Sequence, residues 1–359
     1  MNDVLSVRTL NRTLLERQFL TERTGLGVPD VVERLVALQA QEPNWPYLGL
    51  WARIEGFRRE RLAELLADGR MVRAASLRST QHLSGRADYG RWRPLLQPAL
   101  ERTSRAGYFT PATDGLDLDA LAAVGRELLA GRRLSRQELA TELGARYPGR
   151  DGKLLAGAVQ LRVPVVHGPD SSAWGGWSPR TNTSLTLAEP RPGELSAGAA
   201  VLRYLAAFGP AGVKDFQAWS GLTRMRAVFE ELRPGLRVHR DERGTELFDL
   251  PDAAPADPDR PVPVRFLPAY DNLLLGHADR TRVLAEADRP RVMPGAARVL
   301  PTFLLDGFVA GTWAVRGTEL LVTPFRPLPN GATGQVAAEA DRLAAFLGPG
   351  QRVVFTAAG

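Results

Sequence analysis

The most unusual polar segment of the chain is Gln39-Ala40-Gln41, which follows a predicted helix ending at Leu38. The side-chain amide of a glutamine both donates and accepts hydrogen bonds and does not titrate. Two such amides can orient a water molecule or a polar substrate group without acting as a general base. Pro43 and Pro46 are expected to force an extended turn that fixes Trp45. Glutamines in this pattern also cap helix carbonyls or face solvent, so the spacing alone leaves the role open.

Arginine dominates the charged residues. The chain of 359 residues has 46 lysines and arginines against 40 aspartates and glutamates, for a formal net charge of +6. Only Lys153 and Lys214 are lysines, so 44 of the 46 are arginines. A GC-rich genome produces this bias without a functional cause. A polyanion partner also favours it, because guanidinium groups pair with phosphates in bidentate geometry. The composition is compatible with both explanations.

Other residue types exclude several kinds of chemistry. The chain has no cysteine, which excludes thiol nucleophiles, thiolate metal sites and disulfides. The four histidines are widely separated, and no two have the spacing of a helical metal site. We therefore expect neither a metal nor a cofactor. Schiff-base chemistry would have to use Lys153, Lys214 or the terminal amine, which favours a reaction that uses water.

One order of predicted elements recurs three times: a helix, a short turn, two further helices and a β-rich stretch. This order is typical of winged-helix modules, which bind DNA or other proteins. The first copy has predicted helices at Leu10–Leu20, Val28–Leu38 and Phe57–Leu66, and strands at Met71–Leu77 and Thr80–Ser84. The second has helices at Leu116–Leu129, Glu138–Tyr147 and Leu154–Gln160, a capping box at Ser135, a strand at Arg162–Val166 and a wing at His167–Trp177. The third has helices at Leu195–Phe208, Val213–Trp219 and Thr223–Leu232, a stop at Gly221, and strands near Leu236–His239 and Glu246–Leu250.

These patterns divide the chain into four predicted domains. Residues 1–105, 106–192 and 193–252 are three winged-helix units, and residues 253–359 are a small β-rich domain. The stretch Pro251–Pro263 carries five prolines and is predicted to be a linker. Beyond it we expect a hairpin turn at Asp306-Gly307 and a helix at Gln335–Leu347 before a last strand. The predicted fold class is α+β, with three tandem winged-helix units and a C-terminal β-rich domain.

Four sequence blocks carry a family resemblance. They are the Q-A-Q at Gln39–Gln41 with its Pro/Trp sequel, VRAASLRSTQHLS at Val72–Ser84, RYLAAFGPAGVKDFQAWSGL at Arg203–Leu222 and FLPAYDNLLLGHADR at Phe266–Arg280. Together they resemble the AlkZ-type winged-helix DNA glycosylases, over about Leu5 to Trp313. The resemblance implies a C-shaped monomer of three winged helices and a small β-barrel that encircles duplex DNA. It further implies excision of bulky alkylated purines, including interstrand crosslinks joined through guanine N7.

The resemblance also implies that Gln39 and Gln41 are the catalytic pair. A related branch has aspartate in the second position, whereas Gln41 resembles the branch associated with crosslink unhooking and self-resistance to a genotoxic natural product. The chemistry is consistent with neutral amides. An N7-alkylguanine is already cationic and leaves readily, so the enzyme need only stabilise an oxocarbenium-like sugar and place a water molecule.

Further candidate residues lie in two of the family-like blocks. Arg73, Arg78, Thr80 and His82 form one run, in which the last three would share one face of a strand and contact DNA or the active site. The alternative is a solvated strand face. The other block supplies His277 and Arg280 as candidate DNA contacts, and Trp45, next to the Q-A-Q segment, is a candidate for stacking on a base near the site. Its Asp271 and Asn272 are typical of a structural turn, although Asp271 and Asp279 could also form a metal or general-base pair.

We therefore predict a monofunctional DNA glycosylase with duplex DNA as its partner. The N-terminus is too polar for a signal peptide, and no apolar run reaches the roughly 18 residues of a membrane span, so we expect a bacterial cytoplasmic, nucleoid-associated protein. Two other functions stay open. One is a winged-helix DNA-binding protein or transcription regulator without enzymatic activity, and the other is a protein that sequesters the genotoxin itself.

Overall fold

The computed structural model describes residues 4–175, 183–188 and 195–357. The α-helices are α1 Val7–Arg17, α2 Val28–Arg34, α3 Asn44–Trp51, α4 Arg59–Ala67, α5 Arg86–Ser104, α6 Thr110–Thr113, α7 Leu118–Leu129, α8 Arg136–Arg146, α9 Gly152–Arg162, α10 Ala197–Phe208, α11 Val213–Ser220, α12 Arg226–Leu232, α13 Asn272–Leu275, α14 Arg289–Val292 and α15 Ala332–Leu347. The strands are β1 Val4–Leu5, β2 Leu38–Gln39, β3 Met71–Ala75, β4 Gln81–Gly85, β5 Leu134–Ser135, β6 Val165–His167, β7 Ser184–Leu187, β8 Arg237–Asp241, β9 Glu246–Asp249, β10 Arg265–Leu267, β11 Thr302–Leu305, β12 Phe308–Arg316, β13 Glu319–Pro324 and β14 Arg352–Phe355.

A repeated order of elements is present, but its first copy differs from the prediction: the repeat begins at α2, the predicted Leu10–Leu20 helix (α1) precedes it, and α3 was not predicted. A helix, a strand, two helices and two strands occur as α2-β2-α3-α4-β3-β4 and again as α7-β5-α8-α9-β6-β7. In both, the first strand pairs antiparallel with the last. In the third copy, which begins at α10, Ala211 takes the place of the first strand through an antiparallel bridge to Phe248 of β9. The fold is thus a mixed α/β fold with one topology used three times.

The first two copies share one sheet. Its strand order is β2-β4-β3-β6-β7-β5, and the copies join where Arg73 of β3 lies opposite His167 of β6. Strand β1 pairs with β8 in the three-stranded sheet of the third copy. Strand pairing therefore links segments that are far apart in the sequence. Of the segment predicted as a wing, His167 is the last residue of β6, the loop that follows is described as far as Gly175, and Trp177 lies outside the described residues.

Two predictions around the Q-A-Q segment are wrong. The helix expected to reach Leu38 ends at Arg34, because Val36 adopts a left-handed backbone (φ 70°) that stops helix propagation. The amides therefore follow a short strand rather than a helix end. The expected extended turn is instead the start of α3. Pro46 lies in the first turn of that helix, where backbone N–H groups have no acceptor within the helix, so a proline is tolerated.

The C-terminal sheet is open. Its order is β10-β11-β12-β13-β14, and β10 does not pair with β14, so the expected β-barrel does not close within the described residues. The Asp306-Gly307 turn is present, with both residues in left-handed conformations (φ 48° and 80°) as a two-residue hairpin turn requires. No α-helix among residues 4–175, 183–188 and 195–357 is long and apolar enough to cross a membrane.

Candidate active site

Gln39 is the last residue of β2 and lies opposite His82 of β4. Its side chain is only 7% exposed. The amide oxygen Oε1 accepts a hydrogen bond of 2.8 Å from Nη2 of Arg78. A guanidinium group only donates, so this contact fixes which end of the Gln39 amide is the oxygen. The Nε2 end has no hydrogen-bond acceptor among the described residues, which leaves its two N–H groups available to a ligand.

Arg78 reaches Gln39 from a strained turn. The turn Leu77–Ser79 places both Arg78 and Ser79 in the left-handed region, with φ of 51° and 59°. Non-glycine residues in that region are uncommon and occur most often where the surroundings hold them. The predicted strand face of Arg78, Thr80 and His82 is therefore wrong for its first two members, because β4 begins only at Gln81. The turn nevertheless brings Arg78 to within 3.3 Å of Nε2 of His82.

His82 is a buried, neutral hydrogen-bond acceptor for Arg78. Its Nδ1 is 3.0 Å from the carbonyl oxygen of Thr80, which only accepts, so Nδ1 carries the proton and Nε2 accepts from Arg78. Burial and the charge of Arg78 lower the pKa of His82 to about 3. Burial and the nearby cation of Arg280 lower the pKa of Arg78 to about 10. At neutral pH the pair is therefore a charged guanidinium and an uncharged imidazole.

Gln41 follows β2 by two residues. Its Oε1 accepts a hydrogen bond of 3.3 Å from the backbone N–H of Gln81, at the start of β4. Its backbone carbonyl accepts from Nη2 of Arg73 at 3.0 Å. Both glutamine side chains are thus tied to β4 or to the turn before it, and both use their carbonyl oxygens to do so. A carbonyl oxygen has two lone pairs, so each amide retains acceptor capacity for a ligand.

Arg73 holds the backbone of this segment. Its guanidinium donates to the carbonyl oxygens of Ala40 (2.6 Å) and Gln41 (3.0 Å), and it also contacts Nδ1 of His167 (3.1 Å) and the carbonyl oxygen of Ser171 (2.9 Å). Only 7% of Arg73 is exposed. The geometry supports a role in joining the Q-A-Q segment to the loop after β6, and not the predicted DNA contact.

The two acidic residues of the YDNLLLGHADR block lie in different surroundings. Asp271 is buried, forms a bidentate ion pair with Arg53 (2.8 and 2.9 Å) and caps α13 through the N–H of Leu273. Asn272 donates to the carbonyl oxygen of Ala37, immediately before β2. Asp279 instead lies at the surface with Arg243. In the part of the chain that the structure describes, no three histidine, aspartate or glutamate side chains group as metal ligands.

The remaining predicted contacts lie in different surroundings. Arg280 is partly exposed, close enough to Arg78 to lower the pKa of that group, and its Nε donates to Leu274. His277 is only 2% exposed and donates from Nε2 to the carbonyl oxygen of Phe208, a placement that does not support a DNA contact. The Thr80 hydroxyl donates within its own turn, to Leu77. Trp45 lies in α3 with its indole against the main core.

Sequence reasoning missed the residues that support the Arg78 turn. Nη1 of Arg78 donates to the carbonyl oxygen of Trp219 in α11. Gly221 ends that helix with φ of 83°, and a Cβ there would lie 3.2 Å from Cα of Arg78. The hydroxyl of Ser79 is hydrogen-bonded to that of Thr103 in α5 at 2.8 Å. Of these residues only Gly221 was recognisable from the sequence, as the end of a helix. The sequence did not indicate that Arg78 packs against Gly221.

Comparison with known proteins identifies the family. The model of the AlkZ-like DNA glycosylases matches residues 32–346, which include both glutamines, the Arg78 turn and Arg280. The chain belongs to the AlkZ-like DNA glycosylase family. An interstrand DNA cross-link repair glycosylase from Streptomyces sahachiroi is 29% identical over 356 residues, covering 91% of this chain and 94% of the relative. The solved structure of the Streptomyces sahachiroi DNA glycosylase AlkZ superposes with a TM-score of 0.78 at 26% identity, covering 99% of this chain and 100% of that one. The family expected from the four sequence blocks is confirmed. Of the predicted α+β fold, the match to this solved structure confirms a mixed α/β fold.

Proposed function

We propose that this AlkZ-like protein hydrolyses the N-glycosidic bond of N7-alkylated purines in duplex DNA, including bulky adducts and interstrand crosslinks. The observation that carries the proposal is the pair of oriented amides, Gln39 held by Arg78 and Gln41 held by Gln81. The crosslink substrate is suggested by the name of the Streptomyces sahachiroi relative. The biological setting would be DNA repair or self-resistance to a genotoxic natural product.

The two amides suit a leaving group that is already cationic. As the glycosidic bond breaks, its electron pair neutralises the charge on the purine and leaves an oxocarbenium-like sugar. A water molecule then bonds to C1′ and loses a proton to solvent. An amide carbonyl can accept a hydrogen bond from that water, and the free Nε2 of Gln39 can donate to the water or to the sugar. No lysine is required, so the proposed reaction is monofunctional.

We propose that the three repeated helix-strand units are winged helices that bind DNA. Together with the C-terminal sheet they would form a C-shaped monomer around the duplex. The support for these units is their common order of elements and strand pairing. Arg280 is proposed to contact phosphate beside the lesion, because its charge lies near Arg78 and no carboxylate forms a salt bridge with it in the described part of the chain. A flanking phosphate would satisfy that charge.

The excision rate is expected to be insensitive to pH between about pH 5 and pH 9, because neither amide titrates. The adjacent groups keep their charge over this range. The pKa of His82, about 3, leaves it neutral, and the pKa of Arg78, about 10, leaves it protonated. Single-turnover rate constants for release of 7-methylguanine at saturating protein measure this. A sigmoidal or bell-shaped profile within the range would indicate a titrating catalytic group and contradict the amide mechanism.

The substrate range is tested by incubating the protein, without added metal, with duplexes that carry either one 7-methylguanine or an N7–N7 interstrand crosslink. Alkali-labile breaks in both are expected. Breaks in the monoadduct alone would remove crosslinks from the proposal. Tight DNA binding without breaks in either duplex would favour a DNA-binding protein without enzymatic activity, and binding of an alkylating compound without DNA would favour a sequestering protein.

A further inference from the structure

We infer that Arg78 is a positioning residue that sets the orientation of the Gln39 amide, and that it does not contact DNA phosphate. This inference rests on the proposed function, in which the Gln39 amide acts on the reacting sugar or water. It assigns to Arg78 a role different from the DNA contact expected from the sequence.

The terminal nitrogens of the guanidinium are engaged inside the protein. Nη1 donates to the carbonyl oxygen of Trp219, and Nη2 donates to Oε1 of Gln39 at 2.8 Å and to Nε2 of His82 at 3.3 Å. These acceptors come from three separate segments of the chain. A planar fork with fixed donor directions can meet three such acceptors at once, whereas the ammonium group of a lysine has different geometry. A phosphate that took over the Nη2 donors would break the bond that holds Gln39.

The turn that carries Arg78 is built to hold one position. Its left-handed backbone at Arg78 and Ser79 is unfavourable, and three contacts oppose relaxation. Gly221 packs against the Arg78 backbone where a Cβ would be too close, Ser79 is hydrogen-bonded to Thr103, and Arg102 donates to the carbonyl oxygen of Gly221. Helices α5 and α11 therefore form a rigid seat for the turn. A residue that only attracted DNA would not need this seat.

The contact with Gln39 determines the chemistry that the amide offers. A free glutamine side chain can rotate by half a turn and exchange its oxygen and nitrogen ends. With Arg78 in place the oxygen must face the guanidinium, since a guanidinium cannot accept. The N–H groups of Gln39 then face away from Arg78, which makes the amide a hydrogen-bond donor toward the substrate. Without Arg78, Gln39 would populate both orientations and other rotamers.

The test separates catalytic rate from DNA affinity. Arg78→Ala is compared with the wild type, with Arg280→Ala at the proposed phosphate contact, and with Arg352→Ala as an exposed arginine control in the C-terminal sheet. Each is measured for single-turnover release of 7-methylguanine at saturating protein, for duplex affinity over a range of salt concentrations and for thermal unfolding. For Arg78→Ala we expect a rate about 100-fold lower, as for a misplaced catalytic group, with the same affinity and salt dependence. Arg280→Ala should weaken binding and reduce the salt slope, and Arg352→Ala should match the wild type.

Two further measurements distinguish positioning from loss of structure. Added guanidinium ion, at millimolar concentrations below those that unfold the protein, is expected to restore part of the rate of Arg78→Ala and to leave the wild type unchanged. Arg78→Lys is expected to fold normally and to stay well below the wild-type rate. In a Gln39→Ala background, Arg78→Ala should lower the single-turnover rate by far less than about 100-fold, because the amide that Arg78 orients is already absent.

The inference is overturned if Arg78→Ala lowers affinity and the salt slope but keeps the rate at saturation, since that is the signature of a phosphate contact. The inference would also be overturned if Arg78→Ala lowered the rate by the same factor in the wild-type and the Gln39→Ala backgrounds. A different result would refute the proposed function itself, namely a wild-type protein that releases no base. A wild-type rate that persists in Gln39→Ala would refute the catalytic assignment of that glutamine, independently of Arg78.

Discussion

Replacing Gln39 and Gln41 together by alanine is expected to abolish excision while duplex affinity stays within about twofold of the wild type, because affinity comes mainly from phosphate contacts. Loss of a single preorganised hydrogen-bonding group at a reacting centre typically costs about 10² to 10³ in rate, so loss of both amides should cost at least about 10³. Within the described residues each of the two side chains makes one hydrogen bond, to Arg78 and to Gln81. The measurement is single-turnover release of 7-methylguanine, with duplex affinity determined on the same preparations.

A matched control is Gln335→Ala, which removes an exposed glutamine amide from α15. It should retain the wild-type rate and affinity. If the double variant turns over like the wild type, the amide mechanism is refuted. If instead the double variant loses affinity and rate in parallel, the glutamines act in DNA binding and the catalytic groups lie elsewhere.

The second large effect is expected at the buried ion pair between Arg53 and Asp271. Asp271→Asn should lower the free energy of unfolding by about 3–5 kcal/mol, because it leaves the charge of Arg53 buried without a counter-ion. Arg53 is fully buried, and its other acceptors are the carbonyl oxygen of Gly49 and, at 3.5 Å, the amide oxygen of Gln18. Denaturant unfolding at neutral pH measures the change. Asparagine keeps a side-chain oxygen for capping α13, so the cap is retained while the negative charge and the acceptor for Nη1 of Arg53 are lost.

Asp279→Asn is the control for that experiment. Asp279 forms an exposed salt bridge with Arg243, and removing such a salt bridge lowers the free energy of unfolding by less than about 1 kcal/mol. The comparison also tests the alternative role of Asp271. A catalytic aspartate would lose rate on substitution while stability changed little, whereas a structural one loses stability first. A stable Asp271→Asn protein with a greatly reduced rate would overturn the structural assignment.

Features that depend only on residues close together in the sequence were predicted correctly. The Ser135 capping box, the Gly221 stop and the Asp306-Gly307 turn are all present, because each is encoded within a few positions. The recurring order of elements was likewise visible from apolar periodicity. The strand that carries Gln39 was not, since two residues are too few to show any period. Its formation depends on the left-handed Val36 and on pairing with β4.

The environment of the candidate site depends on contacts between distant segments. The bond from Arg78 to Trp219 spans 141 positions and the bond from Asn272 to Ala37 spans 235. Nothing in local composition specifies such pairings. The sequence therefore identified Arg73, Arg78 and His82 as candidate site residues. It could not show that Arg73 is buried and binds the backbone of the Q-A-Q segment, whereas Arg78 binds the Gln39 side chain. The sequence indicated which residues to consider, and only the structure showed what each of them contacts.

If this protein breaks a glycosidic bond, the released base must be detectable in solution. Purified protein is incubated with a duplex containing a single 7-methylguanine, and the small-molecule fraction is analysed by chromatography and mass spectrometry. We expect free 7-methylguanine in a molar amount equal to the abasic sites formed, at a rate well above spontaneous depurination, and none from the Gln39→Ala, Gln41→Ala protein. Release at the spontaneous rate, with the DNA bound and intact, would contradict it.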